Sequence, residues 1–237
     1  MILRQTRTDI KENLRQFQER VDVAAQRAGR DPKEVKLVAV TKGVEPDRIR
    51  EAAMAGVEVV GESRVQEALP KTHSLGKEVT WHFIGHLQTN KVKQMMGVFE
   101  LIHSVDSLRL AHEISRWAER SGVCQPVLIQ VNLSREGSKS GLAPEEMKPV
   151  LQEMAGLQGI TVRGLMTIPP LSDDAEASRV YFRRLRVLAA EVSRWGFSGV
   201  TMGELSMGMS GDFEVAIEEG ATWVRLGTAI FGPRRDR

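Results

Sequence analysis

The segment Val35-Lys-Leu-Val-Ala-Val-Thr-Lys42 has the pattern of a buried β-strand and ends in a single amine. Continuous apolar runs rich in β-branched residues are typical of strands covered on both faces of a parallel sheet. Further runs of this kind lie at residues 57–63, 80–85, 101–106, 127–132, 162–168, 200–207 and 222–231. Helix-periodic segments separate most of them, and eight strand–helix units in about 200 residues predict a (β/α)8 TIM barrel.

An additional helix is expected in front of the barrel. Asp9 is a candidate N-cap for it, and Gly29 is placed to end it. Its apolar residues recur at intervals of three and four: Ile10, Leu14, Phe17, Val21, Ala24 and Ala28. Residues 87–98, after the third strand, are also long enough for a helix.

The alternative fold is a doubly wound open sheet. Eight strands are many for an open sheet of this length, and no Gly-x-Gly-x-x-Gly fingerprint follows the first strand. The pattern therefore favours the barrel. Because no linker, low-complexity tract or fixed-period repeat interrupts the chain, residues 1–237 are expected to form a single domain.

Composition and charge argue against several functional classes. The chain of 237 residues carries 33 basic and 31 acidic side chains, a balance too even for a nucleic-acid or anionic-membrane binder. No apolar run approaches the roughly 20 residues that span a bilayer, and no secretory signal is visible. One cysteine, Cys124, allows no intrachain disulfide, so a reducing cytoplasm is expected.

The active site of such a barrel lies at the carboxyl ends of its strands. The side chains that the pattern places there are Lys42, Glu62, Ser63, His86, Asp106, Asn132, Met166, Ser206 and Arg225 to Thr228. Phosphate commonly binds after strands seven and eight, where this chain has glycines and hydroxyls. We expect Ser210 to cap a helix over residues 212–219 and to face a phosphate with Gly227 and Thr228. Alternatively, Ser210 is only a helix cap.

Lys42 is the candidate for covalent chemistry. It shares strand parity with Val38 and Val40, so its amine is expected to point towards the barrel interior. An amine that forms a Schiff base must be partly neutral, which requires desolvation or a nearby cation. A lysine at one strand end and phosphate turns at two others indicate a phosphorylated aldehyde, with pyridoxal 5'-phosphate (PLP) as the candidate. A solvated surface lysine is the alternative.

Other candidate motifs are weaker. The segment Gly137-Ser-Lys139-Ser-Gly141 lacks the glycine that directly precedes the lysine of a P-loop. His82 and His86 straddle a strand end instead of sharing a helix face, so no metal site is predicted. Cys124 has no obvious base beside it, which argues against a thiol nucleophile.

Motifs between residues 35 and 232 resemble those of the pyridoxal phosphate homeostasis proteins, small single-barrel relatives of bacterial alanine racemase. The matching segments are Leu37-Val-Ala-Val-Thr-Lys42, Gly61-Glu62, Val65-Gln-Glu67, Trp81-His-Phe-Ile-Gly85, Leu87-Gln88, Asn90-Lys91, Gln130-Val-Asn132, Ser138-Lys-Ser-Gly141, Arg163-Gly-Leu-Met166, Leu205-Ser-Met-Gly-Met-Ser210 and Val224-Arg-Leu-Gly-Thr-Ala-Ile-Phe-Gly232. Together they cover most of the chain.

The resemblance implies a residue-by-residue cofactor site. Lys42 would hold PLP as a Schiff base, and Arg225 would lie against the pyridine nitrogen. The remaining expected contacts are Ser206, Ser210, Gly227 and Thr228 for the phosphate, and Met166, Asn132 and Ser63 around the ring. Lys139 corresponds to a second, mobile lysine that accepts or releases cofactor. Where the family usually has Asn, this chain has Ser63, which would reach the ring hydroxyl through a water or not at all.

The resemblance, combined with Arg225, predicts a PLP carrier with little or no turnover. An arginine only donates hydrogen bonds, so it would leave the ring nitrogen unprotonated and the ring a poor electron sink. Alanine racemases add a tyrosine base from a C-terminal domain, whereas this chain ends after its eighth strand and has only Tyr181. The expected role is intracellular PLP homeostasis, by buffering or delivery to PLP-dependent apo-enzymes, as a monomer.

Two enzymatic alternatives remain. The first is a PLP-dependent amino-acid racemase that uses Lys42 as its base. The second is a Schiff-base aldolase, in which Lys42 attacks a sugar phosphate directly and no chromophore is bound.

Overall fold

A computed structural model describes residues 9–134, 136 and 140–233. Parallel strands close in sequence order into an eight-stranded barrel, which confirms the predicted fold class. The strands are β1 Lys36–Val40, β2 Val59–Glu62, β3 Thr80–Phe83, β4 Leu101–Val105, β5 Gln125–Gln130, β6 Ile160–Met166, β7 Val200–Ser206 and β8 Trp223–Leu226. Closure comes from β1 and β8, in which Leu37 pairs with Val224 and Ala39 with Leu226.

Helices cover the outside of the barrel. They are α1 Ile10–Arg27, α2 Pro46–Met54, α3 Val65–Leu75, α4 Leu108–Arg120, α5 Met147–Met154, α6 Arg179–Ser193, α7 Phe213–Glu218 and α8 Thr228–Phe231. Short 3-10 helices lie at Pro32–Glu34, Thr89–Gln94, Pro144–Glu146 and Ala175–Ser178. In the described part of the chain, no helix has the length and apolarity needed to cross a membrane.

The additional N-terminal helix is confirmed as α1. Asp9 caps it by accepting a hydrogen bond from the Glu12 backbone N–H at 3.1 Å. The helix packs on α7 and α8: the centroids of the Phe17 and Phe213 rings lie 5.5 Å apart, and Asn13 Nδ2 donates to the Ile230 carbonyl at 2.8 Å. This contact fixes α7 and α8, which follow the two predicted phosphate turns.

Two predicted elements are wrong. The expected helix at residues 87–98 is only the 3-10 helix Thr89–Gln94, because Thr89 and Asn90 are poor helix formers and Gly97 takes a φ of 75°. The predicted eighth strand stops at Leu226, five residues early. The Ile230 and Phe231 N–H groups bond back to the Gly227 carbonyl, which turns the chain into α8.

The barrel interior has an apolar layer and a buried polar layer. The apolar layer contains Val38, Leu101, Leu128, Met166 and Trp223, with Val59 and Ile84 packed against it. The His82 ring lies against this layer, with its centroid 4.9 Å from that of Trp223. Val38 therefore faces the interior, as its strand parity predicts.

Gly164 is a close contact between β6 and β7. A Cβ added there would lie 1.7 Å from the Glu204 carbonyl oxygen, so the two strands would have to separate. We predict that Gly164→Ala lowers the free energy of unfolding by about 3 kcal/mol or more, measured by urea denaturation. Gly203→Ala is the matched control, because a Cβ at Gly203 meets nothing within 4 Å. Equal stability of the two variants would contradict this packing.

Candidate functional site

Lys42 lies in a tight turn directly after β1. The turn runs from Thr41 to Val44 and is closed by a hydrogen bond of 2.9 Å from the Val44 N–H to the Thr41 carbonyl. Gly43 takes a φ of 71°, which glycine adopts without strain at the third position of such a turn. Lys42 occupies the second position and is half-buried. The sequence Lys42-Gly43 thus presents the amine at the carboxyl end of the barrel.

The turn after β8 lies beside the end of β1. An added Cβ at Gly227 would stand 3.5 Å from the Val40 Cβ, so Gly227 lies close to the strand that carries Lys42. Thr228 follows as the first residue of α8 and is exposed. Two residues that the sequence assigns to phosphate therefore lie at the same end of the barrel as the predicted imine-forming lysine.

The turn after β7 differs from its prediction. Asp212, and not Ser210, is the N-cap residue of α7, and its Oδ1 accepts from the Met209 N–H at 2.7 Å. Asp212 takes this place because Phe213 starts the helix one residue later than expected. Ser210 lies in the preceding turn and is half-buried. Gly208, with a φ of 90°, bonds through its carbonyl to the Arg225 N–H and holds this turn against β8.

Arg225 is a buried cation in the barrel interior. Its side chain donates from Nη1 to Ser206 Oγ at 2.6 Å and from Nη2 to the Thr167 carbonyl at 3.0 Å. Among the described residues, no carboxylate forms an ion pair with it. Burial lowers the pKa of Arg225 to about 10, which still leaves it charged at neutral pH. A buried guanidinium with spare donors and no anion suits a ligand that presents a hydrogen-bond acceptor.

Ser206 lies within the interior polar layer. It is fully buried, and its Oγ lies 2.8 Å from His103 Nδ1 as well as accepting from Arg225. The Nε2 atom of His103 lies 3.0 Å from His82 Nδ1. Because Arg225 can only donate, the Ser206 hydroxyl proton is free for His103, which then donates from Nε2 to His82. Ser206 therefore orients Arg225. The contact of Ser206 with the phosphate stays a prediction.

A cavity of about 340 Å³ opens at the carboxyl ends of β2, β3, β5 and β6. Its lining residues are Ser63, Ile84, Gly85, His86, Gln130, Val131, Asn132, Ser140 and Ile168. Ser63 and Asn132, both predicted from the sequence, thus line one cavity, and Asn132 Nδ2 donates to the Glu136 carbonyl at 3.0 Å. Met166 is fully buried in the apolar layer of the barrel interior.

His86 has a more defined environment than the sequence indicated. Its Nδ1 lies 3.0 Å from Asp106 Oδ2 and 3.2 Å from Ser140 Oγ, which fixes the ring at the rim of the cavity. In the described ranges, no group of three His, Cys, Asp or Glu side chains could hold a metal ion. Lys139 falls outside the residues that the structure describes.

Two much larger cavities lie elsewhere. One of about 680 Å³ is lined by residues at the amino ends of β3 and β5, among them Trp81 and Cys124. Another, of about 540 Å³, lies around Lys36, Glu204 and Trp223. Both adjoin the amino-terminal ends of the strands, where barrels carry stability and not chemistry, so we take the smaller cavity at the carboxyl end as part of the site.

The family model of the alanine racemase N-terminal domain matches residues 12–235 of this barrel. The chain is 48% identical over 225 residues to the pyridoxal phosphate homeostasis protein of Aquifex aeolicus, covering 94% of this chain and 98% of that protein. It is 42% identical over 228 residues to the protein of the same name from Pseudomonas aeruginosa, covering 95% and 96%. The chain belongs to the pyridoxal phosphate homeostasis protein family.

Solved structures agree with this assignment. PipY of Synechococcus elongatus with PLP bound superposes with a TM-score of 0.84 at 37% identity, covering 94% of this chain and all of that one. An alanine racemase of Clostridium difficile superposes with a TM-score of 0.72 at 16% identity, over 95% of this chain and 57% of that one. The second similarity concerns the fold alone.

Proposed function

We propose that this protein binds PLP at the carboxyl end of its barrel, with Lys42 as the amine that forms the Schiff base, and acts in PLP homeostasis. The observation that carries the proposal is the placement of Lys42 in a tight turn after β1, whose Val40 lies beside Gly227, together with a buried Arg225 that forms no ion pair with a described carboxylate. Both match what PLP offers: an aldehyde for the amine and a ring nitrogen for the arginine. PipY, a relative that covers nearly the whole chain, contains PLP.

Each residue of the site has a proposed task. Ser210, Gly227 and Thr228 hold the phosphate, using hydroxyl and backbone N–H donors at the turns after β7 and β8. Asn132 and Ser63 contact the ring substituents from the cavity, above the buried Met166. Lys139 is proposed to accept or release the cofactor. When bound, PLP supplies an electrophilic aldehyde and a ring that can stabilise negative charge on an attached carbon.

Arg225 limits turnover. Because it donates to the ring nitrogen and carries no proton acceptor, it leaves that nitrogen unprotonated and weakens the ring as an electron sink. The only tyrosine of the chain, Tyr181, packs from α6 against the outer core and is not at the mouth of the barrel. We therefore propose a carrier that buffers PLP or delivers it to PLP-dependent apo-enzymes, as a monomeric single domain in the cytoplasm.

Amino-acid racemisation is the second candidate, because the family model is that of a racemase domain. Protein loaded with PLP and freed of excess is expected to show a visible absorption band that borohydride removes. Under the carrier proposal, L-alanine or L-serine yields little D-isomer. Formation of D-isomer at about 1 per second or faster would instead establish an enzyme. Absence of any chromophore would favour a direct Schiff-base aldolase.

A further inference from the structure

A buried lysine lies behind the turn that carries Lys42. Lys71 belongs to α3 and is only 7% exposed. Its Nζ donates to the Thr41 carbonyl at 2.7 Å, to Glu62 Oε1 at 2.7 Å and to Glu67 Oε1 at 3.0 Å. All three donor hydrogens of the ammonium can therefore be used, and one is used by a backbone group adjacent to Lys42.

The two carboxylates extend this contact to both sides of Lys42. Glu62 Oε1 accepts from Thr41 Oγ1 at 2.6 Å, and Glu67 Oε1 accepts a short hydrogen bond from the Gly43 N–H. Thr41 and Gly43 are the neighbours of Lys42 in the chain. The polar groups on either side of Lys42 are thus fixed by one buried cluster, which we call the Lys71 cluster: Lys71, Glu62 and Glu67.

A buried ion pair is an uncertain contribution to stability. Taking both charges out of water costs nearly as much as their attraction returns, so an apolar replacement of such a pair is often no less stable. Here one acceptor remains unused as well, because Glu62 Oε2 is buried without a hydrogen-bond partner in the described structure. The geometry that the cluster imposes on the Lys42 turn is the more direct consequence of its position.

We propose that Lys71 and Glu67 are positioning residues for Lys42, which hold its turn in the orientation that lets the amine meet a bound aldehyde. This inference rests on the proposed PLP function. A pre-organised turn means that no ordering of Lys42 has to occur when PLP arrives, so imine formation is favoured. In the described structure, the side-chain hydrogen bonds that the cluster makes outside itself go to Thr41 and Gly43, whereas the predicted phosphate turns follow β7 and β8.

Two ligands separate positioning from general damage. PLP reacts with Lys42, whereas pyridoxine 5'-phosphate has an alcohol in place of the aldehyde and reports only the phosphate and ring contacts. We predict that Glu67→Ala weakens PLP binding about tenfold, the effect of losing a hydrogen bond to a charged group, and leaves the affinity for pyridoxine 5'-phosphate unchanged. Lys71→Met is expected to act in the same direction and more strongly.

Glu67→Ala is the variant expected to fold without difficulty, because the Glu67 side chain is 26% exposed, whereas Lys71→Met leaves a buried carboxylate behind. Gln66→Ala, an exposed change in the same helix turn, is the matched control and should alter neither affinity. NMR amide exchange should show a protected Gly43 N–H in the wild type and faster exchange in Glu67→Ala.

The outcomes are distinct. Two results for Glu67→Ala would overturn the positioning role. One is an equal loss of affinity for PLP and for pyridoxine 5'-phosphate, and the other is an unchanged affinity for PLP. If wild-type protein bound neither ligand, the proposed function itself would fail. Amide exchange of Gly43 would then still test whether the Lys71 cluster holds the Lys42 turn, and an unprotected Gly43 amide in the wild type would overturn that role.

Discussion

Replacement of Lys42 by alanine is expected to abolish the visible PLP chromophore and the covalent adduct. Lys42 is the lysine of the turn that follows β1, and Val40 at the end of that strand lies beside Gly227. The phosphate turns and Arg225 remain intact in this variant, so PLP should still bind, reversibly and more weakly. Absorbance titration and equilibrium dialysis measure the two effects separately.

Lys36→Ala is the matched control for this variant. Lys36 belongs to the same strand, but at its amino end, where its Nζ lies 4.9 Å from the centre of the Trp223 ring. Its removal should cost about 0.5–1 kcal/mol of stability and leave the chromophore unchanged. A full chromophore in Lys42→Ala would contradict the assignment of the amine. If that chromophore then disappeared when Lys139 was replaced as well, the attachment point would be Lys139.

Acid is expected to destabilise the fold steeply below pH 6.5 through the two interior histidines. Burial lowers the pKa of His82 from 6.5 to about 3, and burial also holds the pKa of His103 well below 6.5. Both are therefore neutral in the folded state, while in the unfolded chain each binds a proton near pH 6.5. Their contribution to stability is fully present above that pH and is lost as the pH falls.

The expected size follows from proton linkage. Well below pH 6.5, each histidine lowers the free energy of unfolding by about 1.4 kcal/mol per pH unit. Because each is half protonated at pH 6.5 in the unfolded chain, the pair loses about 3 kcal/mol between pH 6.5 and 5. Urea denaturation at several pH values measures this slope. The double variant His82→Gln, His103→Gln should flatten it, whereas the exposed change His112→Gln should not. An equally steep slope in the double variant would show that other groups cause the acid sensitivity.

The barrel and the position of Lys42 after its first strand could be predicted from the sequence because both depend on local pattern. The run 35–42 has a strand periodicity that fixes the direction of Val38, and Gly43 next to Lys42 is a turn signal in itself. Helix ends depend on tertiary contacts, which is why Asp212, and not Ser210, is the residue at the N-cap position of α7. The same reason explains the short 3-10 helix at residues 89–94.

The polar interior was missed because it joins residues far apart in sequence. His82 and His103 belong to neighbouring strands and meet Ser206 only when the barrel closes. A signal existed nonetheless, because two histidines in otherwise apolar runs point to a buried polar layer. Lys71 carried a similar signal: it falls on the apolar face of α3, between the buried residues Ala68 and Leu75.

The central claim is that Lys42 is the attachment point of PLP, and peptide mapping tests it most directly. Wild-type protein is incubated with PLP, reduced with borohydride, digested and analysed by mass spectrometry. We predict one pyridoxyl-phosphate group per chain, on the peptide that contains Lys42. A reduced protein without that group, or with the group on other lysines and an unmodified Lys42, would contradict the account.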